Sequence, residues 1–336
     1  MMFKNKFLVS LMIITIVIIF GAGVSGAKDF IGISTASSGG TFYACGVSLS
    51  TILTEELKDQ GLNFSAHTSG GSSENLQMIK NEEINMAIAG GVPTYYAYEG
   101  IEAFEGNQVP NVRFVSALWP EAISILYREG TDIENLEDLE GKKVAVGPPG
   151  GGGSFYMPGI LKEGAGLTFE DFDEEYLGYS ETVQAMQNRQ IDACYLGGGI
   201  PNAPISQLYA SQIDVGMIEF TEEQIENIKD EYPFYTKITI SEGTYSGQDE
   251  PLTVIGMKSA FIADKSLDDD IVYKILEVIY LKRLDDLKER QASLKLISLE
   301  EATKGLTGAP FHPGAVKFYR DNGLSIPDDL LPPEMK

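Results

Sequence analysis

A chain of 336 residues can bury a sizeable core and suits two domains. Its formal charge of −24, from 49 acidic and 25 basic side chains, argues against nucleic acid and anionic membrane surfaces as partners. Cys45 and Cys194 are too few for a disulfide framework, and both are expected to be free, buried thiols.

In chain order, Lys4 and Lys6 precede an uncharged apolar run from Phe7 to Phe20, and small residues follow through Ala27. This pattern predicts a cleaved secretory signal over residues 1–27, because the run is short of the roughly 20 residues of a bilayer span. Its removal makes the charge two units more negative. No Cys lies near the cleavage site, so a lipid anchor is not expected. The mature protein is expected to be soluble and periplasmic.

A first lobe is predicted from a strand at 30–35, a helix from about 41 to 60 and a strand at 63–68. The helix stacks Cys45, Leu49, Ile52, Leu53 and Leu57 on one face and stops at Gly61. A turn at 69–73 follows, with Ser72 or Ser73 as the cap of a helix over 74–80. A strand over 84–89 ends at Gly90 and Gly91, and Tyr95, Tyr96 and Tyr98 lie on a short helix. The strand at 112–118 meets Trp119-Pro120-Glu121 and restarts at 122–127, which reads as a strand broken at proline where the chain crosses between lobes.

The second lobe is predicted from a strand ending at Val146, a helix over 155–164, a strand at 175–177, a helix over 181–188, a strand at 191–196 and a helix over 205–210. Residues 214–220 turn back toward the first lobe. The stretch 221–250 reads as a loop-rich connection, 252–263 as a strand pair re-entering the first lobe, and 268–290 as one long helix with a core-facing stripe. The expected boundaries are 28–119 with 251–310 for lobe I, 120–220 for lobe II, and 311–336 as a tail wrapping the surface.

The two lobes echo each other. Gly39-Gly40-Thr41-Phe42-Tyr43 follows one strand, and Gly152-Gly153-Ser154-Phe155-Tyr156 follows another. The stretch from Glu74 to Gly91 is answered by the stretch from Glu181 to Gly198, in the same order and at nearly the same offset. Such a duplication predicts two similar α/β lobes, each with a glycine loop at the C-terminal end of a strand. Ligands of open α/β sheets bind at that edge, where helix N-termini favour anions.

No catalytic set assembles. His67 and His312 are the only histidines, no metal-ligand spacing occurs, and neither glycine loop carries the phosphate-loop lysine. Asp268, Asp269 and Asp270 read as the acidic start of a helix. No cofactor and no metal is expected. What assembles is a set of hydrogen-bond donors. The candidate ligand-binding residues are Ser38, Gly39, Gly40, Thr41 and Tyr43; Ser69, Gly71, Ser72, Ser73 and Asn75; Gly90 and Gly91; and Gly150, Gly151, Gly152, Gly153, Ser154 and Tyr195. Hydroxyls and loop N–H groups of this kind can hold a carboxylate without an arginine. Each serine or threonine taken singly could equally be a helix cap.

The stretches Ser38 to Tyr43, Thr68 to Asn75, Asp138 to Gly150, Tyr232 to Tyr235, Gly243 to Asp249 and His312 to Ala315 resemble the TAXI-type solute-binding component of TRAP (tripartite ATP-independent periplasmic) transporters. They span almost the whole mature chain in the expected order. The resemblance implies a two-lobed type II periplasmic-binding-protein fold with a hinge and a central ligand cleft. It implies a monomer that captures a glutamate- or glutamine-like amino acid or organic anion and delivers it to an ion-driven TRAP permease. This chain departs from the family in two places. Gly151 and Gly153 stand where the family carries Ser and Thr, and Ala89-Gly90-Gly91 stands where polar residues are common. Both changes are expected to enlarge the cleft and admit a solute larger than glutamate. The alternatives are a binding protein of an ATP-driven importer and, against the lack of a catalytic set, an extracytoplasmic enzyme.

Overall fold

The computed structural model describes residues 29–336, and the expected secretory signal over residues 1–27 lies outside the described residues. The first stretch alternates β1 (Asp29–Ser34), α1 (Thr41–Leu57), β2 (Leu62–His67), α2 (Ser72–Lys80), β3 (Met86–Gly90) and α3 (Gly91–Glu99). The middle holds β4 (Val112–Ile123), β5 (Ile125–Arg128), β6 (Lys143–Ala145), α4 (Gly152–Ala165), β7 (Asp173–Glu175), α5 (Tyr179–Gln187), β8 (Ala193–Tyr195), α6 (Ala203–Tyr209) and β9 (Val215–Met217). The last part adds α7 (Glu222–Glu231), β10 (Thr236–Ile240), β11 (Leu252–Asp264), α8 (Asp269–Glu277), α9 (Leu284–Arg290) and α10 (Pro313–Asp321).

The strands form two sheets. One runs β10-β11-β3-β1-β2 with β4 on β11, and the other runs β7-β6-β8-β5-β9. Each places its second, first and third parallel strands in that order, then an antiparallel strand at the crossover, then one more. The fold is a two-lobed α/β architecture of the type II periplasmic-binding-protein kind. The echo in sequence is therefore an echo in topology: β1 and α1 correspond to β6 and α4, and β3 corresponds to β8.

Local sequence explains these elements. β3 is buried at every position, as expected for a central parallel strand covered on both faces. α1 buries Phe42, Cys45, Leu49, Ile52 and Leu53. A 3-10 turn over Lys58–Gln60 ends it, with Gly61 in the left-handed region at φ 88°. Cys45 and Cys194 are both free and buried. Among the described residues no helix is long and apolar enough to cross a membrane.

Several elements differ from expectation. β4 does not break at Trp119-Pro120-Glu121 but continues to Ile123. Pro120 faces Lys258 beside a bulge in the β4–β11 ladder, so its missing N–H costs little there. Only Ser124 separates β4 from β5. There the chain passes to the second sheet: the Ala122 N–H donates to the Gly198 carbonyl at 2.7 Å, and the Gly198 N–H donates back at 3.0 Å. Residues 252–264 form one long strand rather than a pair, since β3, β4 and β10 all pair along it. β9 stays in the second sheet, and the chain returns just after it, where the Phe220 N–H meets the Thr253 carbonyl at 3.0 Å. The 221–250 stretch contains α7, with its Thr221–Gln224 capping box, and β10. The long helix over 268–290 is interrupted by a π-turn at Val278–Lys282. The tail is also more than a surface wrap. α10 buries Val316, Phe318 and Tyr319, and the Tyr319 hydroxyl donates to the Val115 carbonyl.

Candidate functional site

The glycine loops of the two sheets meet edge to edge. Between them lies a cavity of about 30 Å³. From the first lobe it is lined by Ala36, Ser37, Gly40, Thr41, Phe42, Gly70, Gly71 and Ser72. The second lobe adds Pro148, Gly151, Gly152, Tyr179, Gly197 and Gly198, and Glu121 lines it from the crossover strand. None of these lining residues is Lys, Arg or His.

Three helices begin at this cavity, and each has glycine as its N-cap: Gly40 for α1, Gly71 for α2 and Gly151 for α4. None of the three makes a side-chain cap. Side chains cap α7 (Thr221), α8 (Asp268) and α10 (His312), whereas α3, α5, α6 and α9 also start without a side-chain cap. A glycine cap leaves the first-turn N–H groups without a side-chain acceptor, at the end where the helix dipole is positive. The first turns of α1 and α4 also carry no acidic residue. The N-termini of α1 and α4 therefore form the part of the cavity that attracts anions, while α2 carries Glu74 in its first turn and has its Ser73 N–H taken by the Gly150 carbonyl.

The expectation that Ser72 or Ser73 caps α2 is thus corrected. Both lie inside the helix, because Gly71 at φ 121° makes the turn that precedes it. Ser72 instead accepts a hydrogen bond from the Gly90 N–H at 3.0 Å. The Ser73 N–H is taken by the carbonyl of Gly150 in the other lobe.

Of the remaining candidates, Gly40, Thr41, Gly71, Gly151 and Gly152 are brought together at the cavity. Ser38 and Gly39 instead line a second pocket of about 370 Å³, together with Thr41, Ser180, Gln207 and Ser293. Ser69 and Asn75 serve the first lobe internally. The Asn75 amide donates to the carbonyls of Thr35 and Ile88, and its oxygen accepts from Ser34 and Ser69. Ser154 turns back on its own loop toward the Gly151 carbonyl. Tyr43, Gly90, Gly91, Gly150 and Gly153 are not part of the lining. Tyr195 is fully buried behind Gly152 and Gly197, and its hydroxyl has no partner among the described residues.

The glycines do not widen the cleft as expected. A Cβ at Gly151 would sit 2.8 Å from the Gly70 carbonyl oxygen, and one at Gly90 would sit 2.2 Å from the Tyr156 hydroxyl. The space freed by the missing side chains is filled by the opposite lobe and by tyrosines.

Glu121 was not among the sequence-based candidates. It is 5 % exposed, and its Oε2 has no hydrogen-bond partner among the described residues. Burial pushes its carboxyl up to about 8. Tyr156, Tyr179, Tyr195 and Tyr235 surround it, and burial holds all four phenols well above their ordinary range. The Tyr179 hydroxyl bonds to the backbone of Gly197. A signal for Glu121 was present in the chain: it is the one ionisable residue between Phe114 and Leu126, inside an otherwise uncharged strand.

A family model described as the NMT1-like family matches residues 33–323. Among solved structures, the chain is similar to the alkanesulfonate-binding protein SsuA from Xanthomonas axonopodis pv. citri bound to MOPS. The identity is 13%, the coverage is 89% of this chain and 92% of that one, and the TM-score is 0.47. It is similar to PhnD1 from Prochlorococcus marinus in complex with methylphosphonate at 10% identity, with coverage of 80% and 90% and a TM-score of 0.49. It is also similar to the substrate-binding protein of an amino acid ABC transporter at 12% identity, with coverage of 80% and 99% and a TM-score of 0.46.

Proposed function

This chain belongs to the NMT1-like family, and from that premise we propose that it is an extracytoplasmic solute-binding protein. It closes two lobes around one small carboxylate-bearing solute and delivers it to a membrane permease. The observation that carries this reading is the convergence of the glycine-capped N-termini of α1 and α4, one from each lobe, on one cavity. A carboxylate there accepts from backbone N–H groups, with Thr41 and Ser72 adding hydroxyl donors. With no cation in the lining, a singly charged carboxylate suits the site better than a dianion. We read the protein as a binder, not an enzyme, acting as a periplasmic monomer.

The motif resemblance favours an ion-driven TRAP permease as the receiver. The family match does not carry that assignment, and the named neighbour with a stated transporter class belongs to an ABC transporter. The protein delivers its solute to a membrane permease, and an ATP-driven importer stands ahead of a TRAP permease as the receiver. Affinity capture of the loaded protein by each permease class tests that choice.

A thermal-shift screen of amino acids and organic acids tests the ligand class. A bound solute at a hundredfold excess over Kd raises stability by roughly 2.7 kcal/mol, which the melt would register. Stabilisation by neutral sugars alone would overturn the carboxylate reading.

A further inference from the structure

We propose that Glu121 is the second pole of this cavity and selects solutes that carry an ammonium group beside their carboxylate. This deepens the carboxylate reading above and rests on it. Glu121 sits on β4 three residues before Ser124, where the chain leaves the first sheet, so it faces both lobes without belonging to either loop set. It is buried, it lines the cavity, and one carboxyl oxygen is unpartnered among the described residues. A buried carboxyl without a cation is costly to keep ionised.

The groups facing it are Tyr156 from α4, Tyr179 from α5, Tyr195 from β8, and Tyr235 just before β10. None can supply positive charge. The hydroxyls of Tyr156 and Tyr195 are themselves unpartnered among the described residues, and the rings of Phe42 and Tyr179 border the same space. In the cavity itself, the unpartnered acid bordered by the Phe42 and Tyr179 rings forms a receptor for a cationic nitrogen. The N-termini of α1 and α4 form a receptor for a carboxylate. An α-amino acid carries both groups on one carbon, and a simple carboxylate carries only one.

The two ligand classes make opposite demands on Glu121. A solute ammonium ion favours the carboxylate, so its binding expels the proton that burial holds on Glu121 at neutral pH. A solute with only a carboxylate requires Glu121 to stay protonated, so it takes up no such proton change and weakens as pH rises through 8.

The test is calorimetry on the mature protein with L-amino acids, each paired with the carboxylic acid that lacks its amine. At pH 7 the best amino acid is expected to bind about thirtyfold or more tightly than its partner. It is also expected to release close to one proton per ligand, read from the dependence of heat on buffer ionisation. Glu121→Gln is expected to abolish the proton release and collapse the discrimination, while its unchanged melt near pH 4 shows that it folds. Equal binding of both members of each pair, with no proton released by the native protein, overturns this inference and leaves the carboxylate reading standing. Binding of neither class overturns both.

Discussion

The Ser73 N–H, in the first turn of α2, donates to the carbonyl of Gly150 across the cleft at 3.2 Å. The loop of one lobe thus occupies a helix N-terminus of the other, and the cleft is closed by main chain. Side chains added at this contact should therefore act on closure. Gly151→Ser places its Cβ 2.8 Å from the Gly70 carbonyl oxygen. A Cβ there would also sit 2.9 Å from the Pro148 carbonyl oxygen of its own loop, so we expect the melting temperature to fall and ligand affinity to fall about tenfold or more. Calorimetry and a thermal melt read the two effects apart.

Thr41 and Ser154 stand at corresponding places in the two lobes, yet only Thr41 lines the cavity. Thr41→Ala should cost about 1–2 kcal/mol of binding, about tenfold in Kd. Ser154→Ala loses a bond to its own loop and should change stability by about 1 kcal/mol with affinity nearly unchanged. An equal affinity loss for both would move the ligand toward the Ser154 side.

Asn75 ties β1, β3 and the turn before α2 together with four hydrogen bonds. Asn75→Ala removes the amide donor from the buried Ile88 carbonyl and leaves the Thr35 carbonyl with the Ser69 hydroxyl alone, and should destabilise the protein by about 2–4 kcal/mol. Urea unfolding measures this. A loss below 1 kcal/mol would mean that the loop repacks freely.

Glu121 predicts a pH dependence of stability. Its folded carboxyl titrates at about 8, above the ordinary range of the unfolded chain. As pH rises past about 4.5 the unfolded state sheds this proton while the folded state retains it, so this group makes folding progressively less favourable until pH reaches about 8. Glu121→Gln should therefore raise the melting temperature of the free protein at pH 8 and leave it unchanged near pH 4. A gain of equal size at both pH values would show that packing, not ionisation, is responsible.

Burial pushes the thiols of Cys45 and Cys194 well above their ordinary range. Neither should react with a thiol reagent under native conditions, and both should react after unfolding. Fast labelling of the native protein would mean that one of them opens to solvent.

The sequence by itself determined the doubled plan. Two strand–glycine–helix words in matching order and spacing are local signals, and local signals set which residues form strands, where helices stop and where glycine loops fall. Gly40, Gly71 and Gly151 could be named before any contact between them was known. Tertiary structure decided which donors face the cavity. Asn75 and Ser154 read as donors by type, and both are spent inside their own lobes because the nearest acceptors are backbone carbonyls brought up by folding. Missing side chains at Gly90 and Gly151 read as open space, and that space is filled by Tyr156 and Gly70 from the opposite lobe. Glu121 read as part of a strand break at Pro120. The lone charge in an uncharged strand marks Glu121 in the sequence, but only the long β4–β11 ladder, whose bulge accommodates the proline, carries that carboxyl, buried, into the gap between lobes.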